Sequence, residues 1–161
     1  MKIYTNDDVS PDSLKGERIA IIGYGSQGRA HAQNLKESGA DVIVGVRAGG
    51  AGHTKATADG LATAEIKDAV KDATIIALLT PDMSHADIYK NDIEPYAPKG
   101  AALLFAHGFS VLYGRVTARE DLDVILVAPK GPGDLVRREY QRGRGVPSLF
   151  AVDRDVTGQA A

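Results

Sequence analysis

Six residues, Gly23-Tyr24-Gly25-Ser26-Gln27-Gly28, constrain this chain more than any others. They follow a short apolar, β-branched run, Arg18-Ile19-Ala20-Ile21-Ile22, and lead into a helix-permissive stretch from Arg29 to Ser38. In a strand–turn–helix unit each glycine of a G-x-G-x-x-G has a mechanical role. Gly23 permits the tight turn, Gly25 lets a pyrophosphate approach the backbone, and Gly28 lets the helix lie close on the strand. The helix N-terminus adds unpaired N–H groups and the positive end of its dipole. The pattern predicts a dinucleotide site; the bland alternative is a structural βα turn that binds nothing.

The rest of the chain alternates apolar runs with helical stretches. An edge strand at Lys2–Tyr4 and a turn-rich lead-in through Asp7, Asp8, Pro11 and Asp12 precede strand one. Helix one runs from Ser26 to Ser38, turning Ala30 and Leu35 to the sheet, with Gly39 as its stop. Strand two is Asp41–Val46, followed by the loop Ala48–Gly52 and a short helix to Asp59 closed by Gly60. Thr63 reads as the N-cap of a second short helix, Ala64–Asp72. Thr74–Leu79 is nearly unbroken apolar, the pattern of a fully buried parallel strand. Thr80-Pro81-Asp82 then starts a helix to about Asp92. Ala101–Phe105, Val124–Ala128 and Ser148–Asp153 are further strands, and Asp134–Gln141 is a helix or an extended arm.

This order predicts one α/β domain over residues 1–161: a Rossmann-type, doubly wound, mostly parallel sheet with helices on both faces. Ligands in such sheets bind beyond the carboxyl ends of the strands. Five unusual loops fall there: Gly23–Gly28, Arg47–Gly52, Thr80–Asp82, Ala106–Phe109 and Pro129–Gly133.

Composition excludes several functions. With no cysteine, disulfides, thiolate catalysis and cysteine zinc sites are ruled out. A net charge of −2 gives no electrostatic case for nucleic acid or an anionic membrane. The basic run Arg137, Arg138, Arg142 and Arg144 is short and interrupted by Glu139, too little for a nucleic-acid footprint. No apolar run approaches membrane-spanning length, and the opening residues carry no signal or transit pattern, so a cytoplasmic location is the default expectation.

Strand two decides the cofactor. Where an NAD site usually places an acid for the ribose 2′-OH, this chain has Val46 and Arg47. A guanidinium there can pair with a 2′-phosphate or stack on adenine, pointing to NADP(H) or to use of both NADP(H) and NAD(H). The alternative is a solvated arginine at a strand end. His107, just after a buried strand, can exchange protons near neutral pH or can be a structural loop histidine. Lys130, in a stiff loop between Pro129 and Gly131, can reach a substrate oxygen or a metal-ligating carboxylate, or simply face water.

Gly23–Gly28, Phe105-Ala106-His107-Gly108-Phe109 and Val127–Gly133 together resemble the amino-terminal domain of ketol-acid reductoisomerase in its short-chain form, over essentially the whole chain. The resemblance implies an enzyme of valine and isoleucine biosynthesis. It performs a magnesium-dependent alkyl shift in 2-acetolactate or 2-aceto-2-hydroxybutyrate, then reduction by NAD(P)H to the 2,3-dihydroxy acid. On matching positions it assigns Tyr24, Gly25, Ser26 and Gln27 to the pyrophosphate and Arg47 to the adenosine end, beside the turn glycines Gly23 and Gly28 read from the motif itself. It sets Asp82, Met83, Ser84 and His85 along the nicotinamide side, brings Gly133 to the cofactor, and puts His107 at the position of the family's active-site histidine; Lys130, read from its own loop, is the second catalytic candidate.

Two departures shape the expectations. The family's NADP-type loop has serines where this chain has Gly50 and Gly52, so Arg47 is left with less help toward a 2′-phosphate. The expected result is a weakened NADP preference, with Thr54 and His53 as partial substitutes. The chain also stops where the family's helical, knotted domain begins, which carries the ligands for two Mg²⁺ ions. No metal ligands are therefore assigned here, and this chain alone is expected to bind NAD(P) without catalysing; the acetolactate-type substrate requires the other domain, and the oligomer is left open. Two other readings stand beside this one: a nucleotide-sensing Rossmann module that gates a partner, and a different dehydrogenase built on the same half-fold.

Overall fold

The computed structural model describes residues 3–10 and 12–161. Seven strands form one sheet in the order β3-β2-β1-β4-β5-β6-β7. They are β1 Arg18–Ile22, β2 Asp41–Gly45, β3 Ala62–Ala64, β4 Ile75–Leu78, β5 Ala102–Phe105, β6 Asp123–Pro129 and β7 Ser148–Arg154. All neighbours run parallel except β7, which pairs antiparallel with β6, Val127 opposite Phe150. The helices are α1 Ser26–Glu37, α2 Ala51–Ala58, α3 Ile66–Val70, α4 His85–Ile88, α5 Phe109–Leu112 and α6 Gly133–Gln141.

The central strands are apolar throughout because both their faces are covered. Alternate residues of β1 enter different cores: Ile19 and Ile21 pack with Val44, Ala32 of α1 and Ala56 of α2. Ala20 and Ile22 pack with Val70 of α3, Ile76, Leu103 and Phe105 on the other face. That double coverage is what a parallel sheet demands, and it fixes the register of each strand. The expected doubly wound α/β architecture is the one observed.

Two local expectations are corrected. Residues 62–64 are an edge strand, not a helix start: Thr63 pairs with Val44, and the Val46 N–H donates to the Ala64 carbonyl at 2.9 Å. The outer edge of β2 carries backbone groups that need partners, and tertiary pairing overrides the local capping signal. The helix begins later, after Glu65. The stretch expected as one helix to Asp92 is helical throughout but changes winding. A 3₁₀ turn at Asp82–Ser84 leads into α4, and a π turn at Tyr89–Ile93 ends it, with the Glu94 N–H donating to the Tyr89 carbonyl at 2.7 Å.

Of the expected edge strand, Lys2 lies outside the described residues, as does Pro11, and Ile3 and Tyr4 are not in a strand. The Tyr4 ring meets Phe150 of β7 edge-on, centroids 6.5 Å apart. Residues 134–141 are helix: α6 lies along α1, where Arg137 forks onto Glu37 and also donates to Asn34 Oδ1 at 2.8 Å. No helix among the described residues is long and apolar enough to cross a membrane.

Candidate dinucleotide site

The strand order reverses at β1, with β2 on one side and β4 on the other. A crevice opens beyond the carboxyl ends of strands at such a switch point. The glycine turn sits in it. Gly23 has φ 95°, and a Cβ there would stand 2.7 Å from Thr80 Cγ2. A Cβ at Gly28 would lie 2.3 Å from the Gly23 carbonyl oxygen, so only glycine lets α1 start this close to the turn. Gly25 is different: nothing lies within 4 Å of where its Cβ would be. The first bond within α1 runs from the Arg29 N–H to the Gly25 carbonyl at 2.9 Å, leaving the N–H groups of Ser26, Gln27 and Gly28 without partners inside the helix. An open approach at Gly25 facing free N–H groups fits a pyrophosphate.

Two of the turn's side chains are engaged by protein. Tyr24 is buried, and its hydroxyl donates to Asp59 Oδ2 at 2.8 Å. Burial, reinforced by the Asp59 carboxylate, pushes the phenol well above its usual range. Arg29 grips the same carboxylate with Nε at 2.8 Å and Nη2 at 3.1 Å. These bonds hold the Asp59 carboxyl below the ordinary carboxylate range, the Arg29 bond most of all. Sequence reading missed this triad, because Asp59 looked like a helix-end residue and its partners are far away in sequence. Gln27 bridges loops: its amide N–H donates to the Gly131 carbonyl at 2.8 Å, while its Oε1 accepts from His31 Nε2 at 3.2 Å. Burial pushes the His31 imidazole below its usual range, which favours the neutral ring.

At the end of β2, the exposed Arg47 guanidinium has no partner among the described residues. The Gly50 N–H donates to the Arg47 carbonyl at 3.1 Å, closing a turn with Gly49 at φ 71°. Gly50 caps α2 without a side chain. A Cβ at Gly52 would come within 3.2 Å of Val46 Cγ1, so this loop packs more tightly than a serine there would allow without adjustment. The Thr54 hydroxyl donates back to the Gly50 carbonyl at 3.3 Å and is occupied within its own helix.

Across β1, a cavity of about 300 Å³ is lined by Gln27, Thr80, Asp82, His85, Ala106 and His107, with Pro129 at its edge. Thr80 Oγ1 is buried and has no protein partner, a polar group that a bound molecule could satisfy. His107 is exposed, and its Nδ1 accepts from the Phe109 N–H at 3.2 Å, leaving Nε2 as the free nitrogen. Ser84 turns inward, donating to the Pro81 carbonyl at 2.7 Å, and Met83 is largely exposed. His85 is buried with both ring nitrogens hydrogen-bonded to protein. The exposed Lys130 donates its backbone N–H to the Pro147 carbonyl at 2.8 Å, and its ammonium has no partner among the described residues. Gly133 is buried, and a Cβ there would fall 2.0 Å from the Ser26 carbonyl oxygen. Contact between α6 and the start of α1 thus already requires its glycine.

Among the described residues no three or more His, Asp or Glu side chains converge to hold a metal ion. The basic run is tied to acids: Arg142 and Arg144 both reach Glu139, at 3.1 and 2.6 Å.

A reversed-order parallel sheet with an open glycine turn at its switch point defines a Rossmann-type domain built for a dinucleotide. The family model described as acetohydroxy acid isomeroreductase, NADPH-binding domain, matches residues 13–161. A solved NADH-preferring ketol-acid reductoisomerase from an uncultured archean is 39% identical, with a TM-score of 0.95. The match covers 99% of this chain and 50% of that one. The chain belongs to the ketol-acid reductoisomerase family, also called acetohydroxy acid isomeroreductase, and spans about half the length of that solved relative. A semialdehyde dehydrogenase NAD-binding protein from Cupriavidus necator, in complex with calcium and NAD, superposes with a TM-score of 0.73 at 22% identity, covering 88% of this chain and 55% of that one. Plasmodium falciparum pyrroline carboxylate reductase with NADP bound gives 0.66 at 14%, covering 91% and 52%. These two share the fold.

Proposed function

We propose that this chain is the cofactor half of a ketol-acid reductoisomerase: it binds NADH and NADPH with little preference between them and presents the nicotinamide to a 2-keto acid. The open glycine turn, with three N–H groups of α1 free to meet a pyrophosphate, carries the reading. Arg47 takes the adenosine end, where its unpaired guanidinium offers charge to a 2′-phosphate. Gly50 and Gly52 withhold the hydroxyls that would strengthen that contact. The NADH preference of the archean relative supports a weakened requirement for the phosphate.

A reduced nicotinamide held at this end would supply hydride to an electrophilic carbonyl carbon. The free Nε2 of His107 faces proton exchange at that end, and the Lys130 ammonium supplies positive charge beside Pro129. In the whole enzyme the preceding step is a magnesium-dependent alkyl shift in 2-acetolactate or its ethyl homologue, which places it in valine and isoleucine synthesis. Magnesium requires clustered oxygen ligands, and the described residues do not fit it. No step is routed through a metal here, and the chain by itself is expected to bind cofactor without turning over acetolactate.

Calorimetric titration of the chain with NADH and NADPH tests the proposal. Dissociation constants within about tenfold of each other are expected, given the one arginine and two absent hydroxyls. Failure to bind either nucleotide overturns the reading, and acetolactate-dependent NADPH oxidation by the chain alone overturns the division of labour.

A further inference from the structure

The inner wall of the 300 Å³ cavity holds a histidine with no nitrogen to spare. His85 is 3% exposed, its Nε2 2.8 Å from the Thr80 carbonyl oxygen and its Nδ1 2.7 Å from Ser110 Oγ. A carbonyl oxygen only accepts, so Nε2 carries the proton; in the neutral ring Nδ1 then accepts from the Ser110 hydroxyl. Ser110 is wholly buried in α5, three residues after His107. The imidazole also lies against Phe105, two residues before His107, with centroids 5.9 Å apart. One ring therefore holds both ends of the turn that carries His107 and ties that turn to Thr80, two residues past the end of β4. Asp82 Oδ1, 3.9 Å from Nδ1, is the carboxylate facing it.

We propose that His85 is a positioning residue: a buried crossbar, protonated on Nε2, that spans Thr80 and Ser110 and sets the aim of His107 into the cavity. Its ring nitrogens make no bond to the dinucleotide. This departs from the placing of His85 along the nicotinamide side, and it rests on the cofactor reading of the cleft given above. The chemistry of the crossbar is specific. Glutamine can copy it, donating its amide N–H to Thr80 and accepting from Ser110 through its carbonyl, whereas phenylalanine fills the volume and makes neither bond.

Calorimetry of the chain and its His85→Phe and His85→Gln variants with NADH, and with ADP-ribose, which lacks the nicotinamide ring, reads the effect. His85→Phe is expected to weaken NADH about tenfold and leave ADP-ribose within about twofold, while His85→Gln returns NADH to within about threefold of the original. Without ligand, long-range nitrogen–proton spectra of histidine-labelled chain should show His85 as the Nε2–H tautomer, and Ser110→Ala should move the ring signals of both His85 and His107. Equal losses for both ligands, no loss for either, or an Nδ1–H ring at His85 overturns the crossbar. Failure of the unsubstituted chain to bind either ligand sinks the cofactor reading instead, and the ligand-free ring signals then decide the crossbar by themselves.

Discussion

On the β2 side of the switch point the rim is made of backbone: glycines that admit close contacts, the free N–H groups of α1, and one unpaired arginine. On the β4–β5 side it is made of side chains, with the His85 ring bonded to Ser110 Oγ and to the Thr80 carbonyl in the interior behind His107. The first kind of wall is rigid where Gly23 and Gly28 leave no room for a Cβ; the second is rigid because removing a partner leaves a buried group unpaired. The two sides should therefore fail differently when altered.

The largest effect should come from adding a methyl group where backbones touch. Gly133→Ala and Gly28→Ala place a Cβ 2.0 and 2.3 Å from carbonyl oxygens. Each should cost about 3 kcal/mol in chemical denaturation, since neither main chain can shift freely. A loss below about 1 kcal/mol would mean these contacts are softer than they look.

Arg47→Gln comes next. It removes the unpaired guanidinium at the end of β2, so NADPH binding should weaken roughly 10- to 100-fold and NADH by about threefold or less. Equal losses for the two nucleotides would show the arginine stacking on adenine instead of pairing with phosphate.

A smaller effect is expected at Asp59, which ties the glycine turn to α2. Asp59→Asn should cost about 1 kcal/mol of stability near neutral pH, because the carboxylate is partly screened and Arg29 is half-exposed. The carboxyl is depressed in the folded chain relative to the unfolded one. Its stabilisation is therefore fully present above about pH 4 and is lost as the pH falls through the lower, folded value. Denaturation measured from neutral to acid pH should fall less steeply in the asparagine variant; an unchanged acid limb would remove Asp59 from the stabilising network.

Gly50→Ser should have the smallest effect, a gain in NADPH affinity of about threefold with NADH unchanged. Its Cβ would meet the Arg47 carbonyl oxygen at 3.1 Å, so part of the gain is spent on a small shift of the turn. A loss of NADPH affinity would show that this loop cannot host the hydroxyl.

The legibility of each side follows from the same contrast. The glycine turn could be read because its spacing is local: strand, turn and helix are contiguous, and the bounds of β1 agree with the expected Arg18–Ile22. Thr63 misled because its true partner, Val44 across the β2 edge, lies 19 positions back (63 less 44). The Tyr24–Asp59–Arg29 triad and the His85–Ser110 pair join residues from different loops, and no spacing rule marks them. His107 and Lys130 stood out as polar residues ending apolar strands, a local signal, but which His107 nitrogen is free came only from the Phe109 N–H that occupies the other.

By itself the sequence determined the doubly wound sheet, the position of the glycine turn and the absence of an acid at the end of strand two. Those depend on the period of apolar residues and on glycine's lack of a side chain, both properties of neighbouring residues. Only the tertiary structure decided that Gly133 is held by Ser26, that Tyr24 turns to Asp59 and that His85 faces inward. Those depend on which strand ends meet at the rim, and a hydrogen bond between distant loops exists only once the sheet has brought them within 3 Å of each other.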